Sequence, residues 1–198
     1  LGLDAFGLVV GDVSGHGIDS AITMAQTRVL VRAAARDHAD PGEILADVNA
    51  LLVPDLGEHR FVGMTIVAIN PRTRAISYAN AGHTPGFLLD RTGRIRMELT
   101  STGLVLGLFE DASFATVRGP DLSVGDVLVL ITDGVTEAEG ADGSMCGPDW
   151  ALELVRSNAH RSAADILGRL SELVRTFAAR GYLHDDATSV VCRVGDWG

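Results

Sequence analysis

The sequence predicts an α+β layered domain, antiparallel sheet covered by helices, and three features lead to that class. Short apolar segments of strand length fill the middle of the chain and are joined by short turns, so neighbouring strands pair antiparallel. Segments of helical periodicity cluster towards the two ends. A parallel nucleotide-binding sheet would need helices alternating with strands through the middle, where none is expected.

In chain order, Phe6 to Val13 reads as a strand. Helical periodicity runs from Gly17 to Arg36, with Ile18, Ile22, Ala25, Val29 and Ala33 on one apolar face. In "DPGEILADVNALL" Asp40 caps a second helix and Pro41 suits its first turn. Its apolar stripe is Ile44, Leu45, Val48, Leu51 and Leu52. Phe61 to Ile69 is a continuous apolar strand, and "NPRTR" turns it into a partner over Ala75 to Ala79. Further strands are expected around Gly86–Asp90, Arg94–Leu99 and Phe114–Arg118. "DVLVLITDG" is a buried strand ending on an aspartate. Helices follow at Pro148–Ser157 and Ala163–Ala179; the latter carries Ile166, Leu167, Leu170, Leu173, Val174 and Phe177 at helical spacing. "ATSVVCRV" closes the chain as a strand.

Composition bounds the function. A chain of 198 residues with 46% hydrophobic content can bury the core of one domain. No apolar run reaches the roughly 18 residues of a membrane span, so no membrane insertion is expected in this segment. No signal peptide is visible, and the chain opens at Leu1 without Met. The net charge of -10 argues against a nucleic-acid groove, which needs concentrated positive charge, and fits an acidic metal site. Cys146 and Cys192 lack metal-ligand spacing and cannot build a disulfide framework, which points to a reduced, cytoplasmic protein. All 16 basic residues are arginine, so lysine chemistry is excluded.

The candidate chemistry sits where strands stop. In "LVVGDVSGHGIDSA" a strand ends on Asp12, turns through glycines and opens a helix. Asp133 in "ITDG" and Asp185 with Asp186 in "HDDAT" repeat the theme. Each aspartate alone reads as a turn or helix cap. As a converging set they would repel by roughly 4 kcal/mol per pair at about 4 Å and an effective dielectric near 20. Such a cluster is tolerable if it holds hard divalent cations, Mg²⁺ or Mn²⁺, which prefer oxygen ligands.

"GDVSGHG", "NAGHTP", "LITDGVTEA" and "HDDAT", in this order and spanning nearly all of the chain, resemble the bacterial SpoIIE/RsbU-like branch of the 2C-type metal-dependent protein phosphatases. The resemblance implies a four-layer α-β-β-α sandwich of two antiparallel sheets flanked by helices, with residues 1–198 forming one SpoIIE-like phosphatase domain. It implies two ions, Mn²⁺ or Mg²⁺, and hydrolysis of phosphoserine or phosphothreonine on a protein by direct attack of a metal-held water. Carried over by position, Asp12 bridges both metals, the Val13 carbonyl is a further ligand, Asp133 and Asp185 hold one metal, and Asp186 stands behind them. The implied partner is a phosphorylated STAS-type anti-sigma-factor antagonist. The apolar helices after Asp12 also offer a face for a homodimer.

Other uses of the opening stretch weaken. No Gly-Lys-Ser/Thr follows, so it is not a P-loop. Ser14 as nucleophile with His16 as base would need two residues in one tight turn to align, and no third group is evident. Ser14 reads as a turn or cap residue. His16 is a candidate general acid to the leaving serine oxygen, although the wider superfamily spaces its histidine differently and near relatives often carry lysine. His83 reads as part of a turn pinning a strand near the site, and His184 as exposed. Relatives also place an acidic Gly-Gly-Asp-aromatic-x-Asp motif on the preceding strand. It is absent here, where Asp4 is the lone upstream acid, so the domain is expected to lack its first strand and one metal to be short of a ligand. Relatives often have Phe where Cys146 stands, a local packing change. Two competing functions remain: a catalytically weak phosphatase-like module that binds a partner, and a different metal enzyme acting on small phosphoesters.

Overall fold

The computed structural model describes residues 5–57, 60–139, 146–178 and 185–196. Its elements in chain order are β1 (Phe6–Val13), α1 (Ile18–Asp37), α2 (Pro41–Leu52), β2 (Val62–Asn70), β3 (Ala75–Ala81), β4 (Gly86–Leu89), β5 (Ile95–Leu99), β6 (Val117–Arg118), β7 (Val127–Ile131), α3 (Asp133–Thr136), α4 (Gly147–Asn158), α5 (Ala163–Phe177) and β8 (Ser189–Arg193). They form two antiparallel four-stranded sheets with flanking helices, an α+β fold. The chain divides into two units along these lines, residues 1–83 with 99–121 and residues 84–98 with 122–198.

The first unit holds the sheet ordered β1-β2-β3-β6. β2 and β3 are its interior strands, and β2 pairs with β1 so that Asp12 faces Gly63 and Val13 faces Val62. The "NPRTR" turn closes as expected, Asn70 Oδ1 accepting the backbone N–H groups of Arg72 and Thr73, both at 3.0 Å. Helix α2 starts as the sequence dictates: Asp40 Oδ1 accepts from the N–H groups of Gly42 (2.9 Å) and Glu43 (3.2 Å). Ile44, Leu45, Val48 and Leu52 pack against Val62, Met64 and Ile66 of the sheet. Leu51, expected in that stripe, is exposed instead.

Helix α1 departs more. The stripe that periodicity marks as apolar faces solvent: Ile18, Ile22 and Val29 are 80%, 53% and 66% exposed. The buried positions are Thr23, Thr27, Val31 and Ala34. Thr27 donates its hydroxyl to the Thr23 carbonyl at 2.8 Å, so a threonine-bearing face can pack with its methyls inward and that donor satisfied within the helix.

The second unit holds the sheet ordered β5-β4-β7-β8. β7 is buried at every position, and Ile131 at its end pairs with Ser189 of β8. Val127, Val129 and Ile131 share a core with Val155 of α4 and with Ile166 and Leu170 of α5. Asp126, entering β7, is buried with Arg96 as its ionic partner, and its Oδ2 also accepts the Ser123 N–H at 2.8 Å. Helix α3 was not expected: four residues offer no period to read. Among the described residues no helix is long and apolar enough to cross a membrane.

One surface contact makes the first unit pH-dependent. His38, just past α1, reaches Asp47 Oδ2 with Nε2 (2.7 Å) and Glu43 Oε2 with Nδ1 (3.2 Å). The Asp47 hydrogen bond, aided by both carboxylate charges, raises the imidazole pKa above its ordinary 6.5. A folded-state pKa above the unfolded one gives stabilisation that is complete below the unfolded pKa and is lost as pH rises through the folded value. Thermal unfolding from about pH 5.5 to about pH 8.5 should therefore show the parent chain losing its advantage over His38→Gln as pH rises. Parallel curves for the two proteins would show that the contact contributes nothing.

Candidate metal centre

In the first unit Asp12 is the penultimate residue of β1 and half-buried. The ladder to β2 fixes it, and Val13 after it is buried. The chain then turns under close control. The Ser14 N–H donates to the Phe61 carbonyl, and the Ser14 hydroxyl accepts the Phe61 N–H, each at 3.0 Å. The Ser20 hydroxyl donates to the Ser14 carbonyl at 3.3 Å. Gly15 and Gly17 adopt φ of 85° and 93°, left-handed backbone that side chains with a Cβ rarely take. His16 stands exposed between them.

In the second unit Asp133 opens α3 directly beyond β7. Thr132 ties this strand end to the segment that carries Asp185. Its N–H donates to the Thr188 carbonyl (3.0 Å), its hydroxyl accepts the Thr188 N–H (2.9 Å), and that hydroxyl donates to the Asp186 carbonyl (3.0 Å). Each acid is then oriented by the amide that follows it. Asp133 Oδ1 accepts the Gly134 N–H at 2.9 Å, and Asp185 Oδ1 accepts the Asp186 N–H at 2.7 Å. The result is a pair of carboxylates with an oxygen of each within 4.8 Å of the other.

Two such charges repel by about 3 kcal/mol at an effective dielectric near 20, and by less where water screens them. Asp185 is exposed, so water screens this pair. A cation shared by the pair turns that repulsion into attraction. The donors are all oxygen, which fits a hard divalent ion such as Mg²⁺ or Mn²⁺.

The remaining sequence candidates have distinct surroundings. Asp186 is exposed, and its backbone N–H and carbonyl are the groups engaged in the clasp. His83 is buried; its N–H donates to Asn80 Oδ1 (2.8 Å), while Asn80 Nδ2 donates to the carbonyls of His83 (3.1 Å) and Leu99 (3.0 Å). Within "NAGH" the pin is thus the asparagine side chain. Asp4 and His184 lie outside the described residues. Sequence reasoning missed Thr132. A hydroxyl residue directly before a strand-end Asp-Gly was the available signal.

Solved structures share the architecture. The PP2C domain of SiaA from Pseudomonas aeruginosa superposes with a TM-score of 0.86 at 20% identity, over 98% of this chain and 77% of that one. The RsbU and RsbW domains of Rv1364c from Mycobacterium tuberculosis give a TM-score of 0.77 at 26% identity, over 97% of this chain and 52% of that one. The fold is that of the PP2C-type phosphatase domains. The family follows from the sequence match: the model of "Stage II sporulation protein E (SpoIIE)" covers residues 3–195, and the chain belongs to the SpoIIE family. It is 27% identical over 190 residues to the phosphoserine phosphatase RsbU of Bacillus subtilis (strain 168), spanning 96% of this chain and 56% of RsbU.

The clasp is sterically tight at one place. A Cβ added to Gly134 would lie 2.5 Å from the Asp186 carbonyl oxygen and 2.8 Å from its carbon, both backbone atoms. Gly134→Ala should therefore push the Asp185–Asp186 segment away and cost about 1–3 kcal/mol in urea unfolding, the usual range for overpacking. An unchanged midpoint and slope would show that the segment yields freely.

Proposed function

We propose that this chain is a metal-dependent protein phosphatase that hydrolyses phosphoserine or phosphothreonine on a partner protein. The observation that carries the proposal is the Asp133–Asp185 pair, held within 4.8 Å by the Thr132 clasp in a member of the SpoIIE family. The relative RsbU is named a phosphoserine phosphatase, and RsbX, a structural neighbour with a TM-score of 0.72, was solved in complex with magnesium.

In this proposal Asp12, the Val13 carbonyl, Asp133 and Asp185 would hold two ions, Mn²⁺ or Mg²⁺, with Asp186 behind Asp185. When bound, the ions supply an activated water and neutralise charge during in-line displacement at phosphorus. The chain's own contribution is placement. The ladder to β2 fixes Asp12, the Thr132 clasp fixes Asp133 and Asp185, and the N-terminus of α1, a 20-residue helix, favours the incoming phosphate. His16 is the proposed proton donor to the departing serine oxygen.

The proposed substrate is a phosphorylated STAS-type anti-sigma-factor antagonist, met in the cytoplasm. The pairing of RsbU and RsbW domains in Rv1364c is consistent with such a pathway. The outward apolar face of α1 supports a homodimer.

Two measurements test the assignment. Asp133→Ala should lower Mn²⁺-dependent phosphate release from a phosphoserine protein by orders of magnitude while circular dichroism stays unchanged; near-normal turnover would remove Asp133 from the site. Millimolar Mn²⁺ should raise the melting temperature of the parent chain by mass action, and the rise should shrink in Asp12→Asn. A melting temperature blind to Mn²⁺, Mg²⁺ and EDTA would contradict any bound ion.

A further inference from the structure

We propose that residues Gly103 to Asp111, with Phe61, form a docking ledge for the segment that flanks the phosphorylated residue of a protein substrate. That segment is inferred to carry an apolar side chain next to a basic one. The proposal rests on the phosphatase reading above and adds to it the sequence class of the substrate.

The ledge is apolar and exposed where a loop would ordinarily be polar. Leu104, Leu108 and Phe109 are 57%, 42% and 57% exposed, and Phe61, which precedes the Val62 that pairs with Leu106, is 39% exposed. Single exposed apolar residues need no explanation, but four large ones on adjoining segments do. The loop is also held firmly. Leu106 is fully buried and forms an antiparallel bridge to Val62, its N–H donating to the Val62 carbonyl (2.9 Å) and the Val62 N–H donating back (3.0 Å). Asn49, buried in α2, accepts the Gly107 N–H (2.8 Å) and donates to the Phe109 carbonyl (2.8 Å). Fixing the backbone in advance removes much of the ordering cost that binding would otherwise carry.

The ledge also adjoins the Asp12 strand end within the same unit. Val13, Val62 and Leu106 lie side by side through their pairings. Two strand steps of about 4.8 Å put the loop roughly 10 Å from Val13, and an extended peptide covers that in about three residues. Phe61 is bonded twice to Ser14, two residues past Asp12. The border after Phe109 is acidic, Glu110 and Asp111 both exposed, which selects a basic neighbour on the bound segment. A second copy of a chain with a net charge of -10 is a poor match for that border.

The test uses two phosphoserine peptides, identical except three to five residues from the phosphoserine, where one carries Leu-Phe-Arg and the other Ser-Gln-Ser. Phosphate release gives the ratio of kcat/KM values, and fluorescence anisotropy of the unphosphorylated forms gives the ratio of affinities. The parent chain should favour the apolar-basic peptide about tenfold in both ratios, and Phe109→Ser and Leu108→Ser should each bring the ratios towards one. Equal handling of the two peptides by the parent chain, or an undiminished preference in both variants, would overturn the ledge. If neither peptide is hydrolysed but the anisotropy ratio behaves as expected, the phosphatase reading fails and the ledge stands. If both are hydrolysed at equal rates, the reverse holds.

Discussion

The local structure around Asp133 and Asp185 answers one constraint, the cost of holding two negative charges close together. An oxygen of Asp133 and one of Asp185 lie within 4.8 Å, and these carboxylates accept hydrogen bonds from the backbone amides of Gly134 and Asp186. Free loops would relax apart. Here one threonine makes three hydrogen bonds to the Asp186–Thr188 segment, and a glycine allows the backbone to approach. β7, buried along its whole length, supplies the fixed end from which the clasp works. Carboxylates held this way have little freedom to reorganise, as the proposed metal site would require.

The same division of labour runs through the first unit. Apolar burial fixes the position of the sheet, while buried asparagines fix the loops at its end. Asn80 joins His83 and Leu99, and Asn49 joins Gly107 and Phe109. Neither residue is exposed, so each of these bonds replaces lost hydration and would leave orphaned groups if cut. Loops set in this manner can display unusual surfaces, such as the apolar one beside Phe61, without collapsing onto the core.

Much of this was legible in the sequence, and the failures have physical causes. β1 and the capped start of α2 fall where expected because apolar runs and capping chemistry are local signals. α1 was located but turned over. Thr23, Thr27, Val31 and Ala34 repeat at the same three- and four-residue spacing as the Ile18 stripe, and a hydroxyl bonded back into its own helix hides its polarity. β6 is shorter than expected because Phe114 goes into the core beside Leu106 and only Val117 and Arg118 join the ladder. The aspartates at strand ends stand out from their Asp-Gly and Asp-Asp contexts. Thr132 and Asn49 leave only a faint local hint, because local spacing does not show which distant segment a clasp will engage. Asn49 does stand on the apolar face of α2, a polar residue in a core stripe.

Whether these carboxylates hold divalent ions is tested without recourse to activity by following Mn²⁺ binding with electron paramagnetic resonance. Adding the chain to a Mn²⁺ solution should suppress the six-line signal of the free ion, and Asp185→Asn should restore much of that signal. A free-ion signal untouched by the parent chain, or suppressed equally by the variant, would contradict the account.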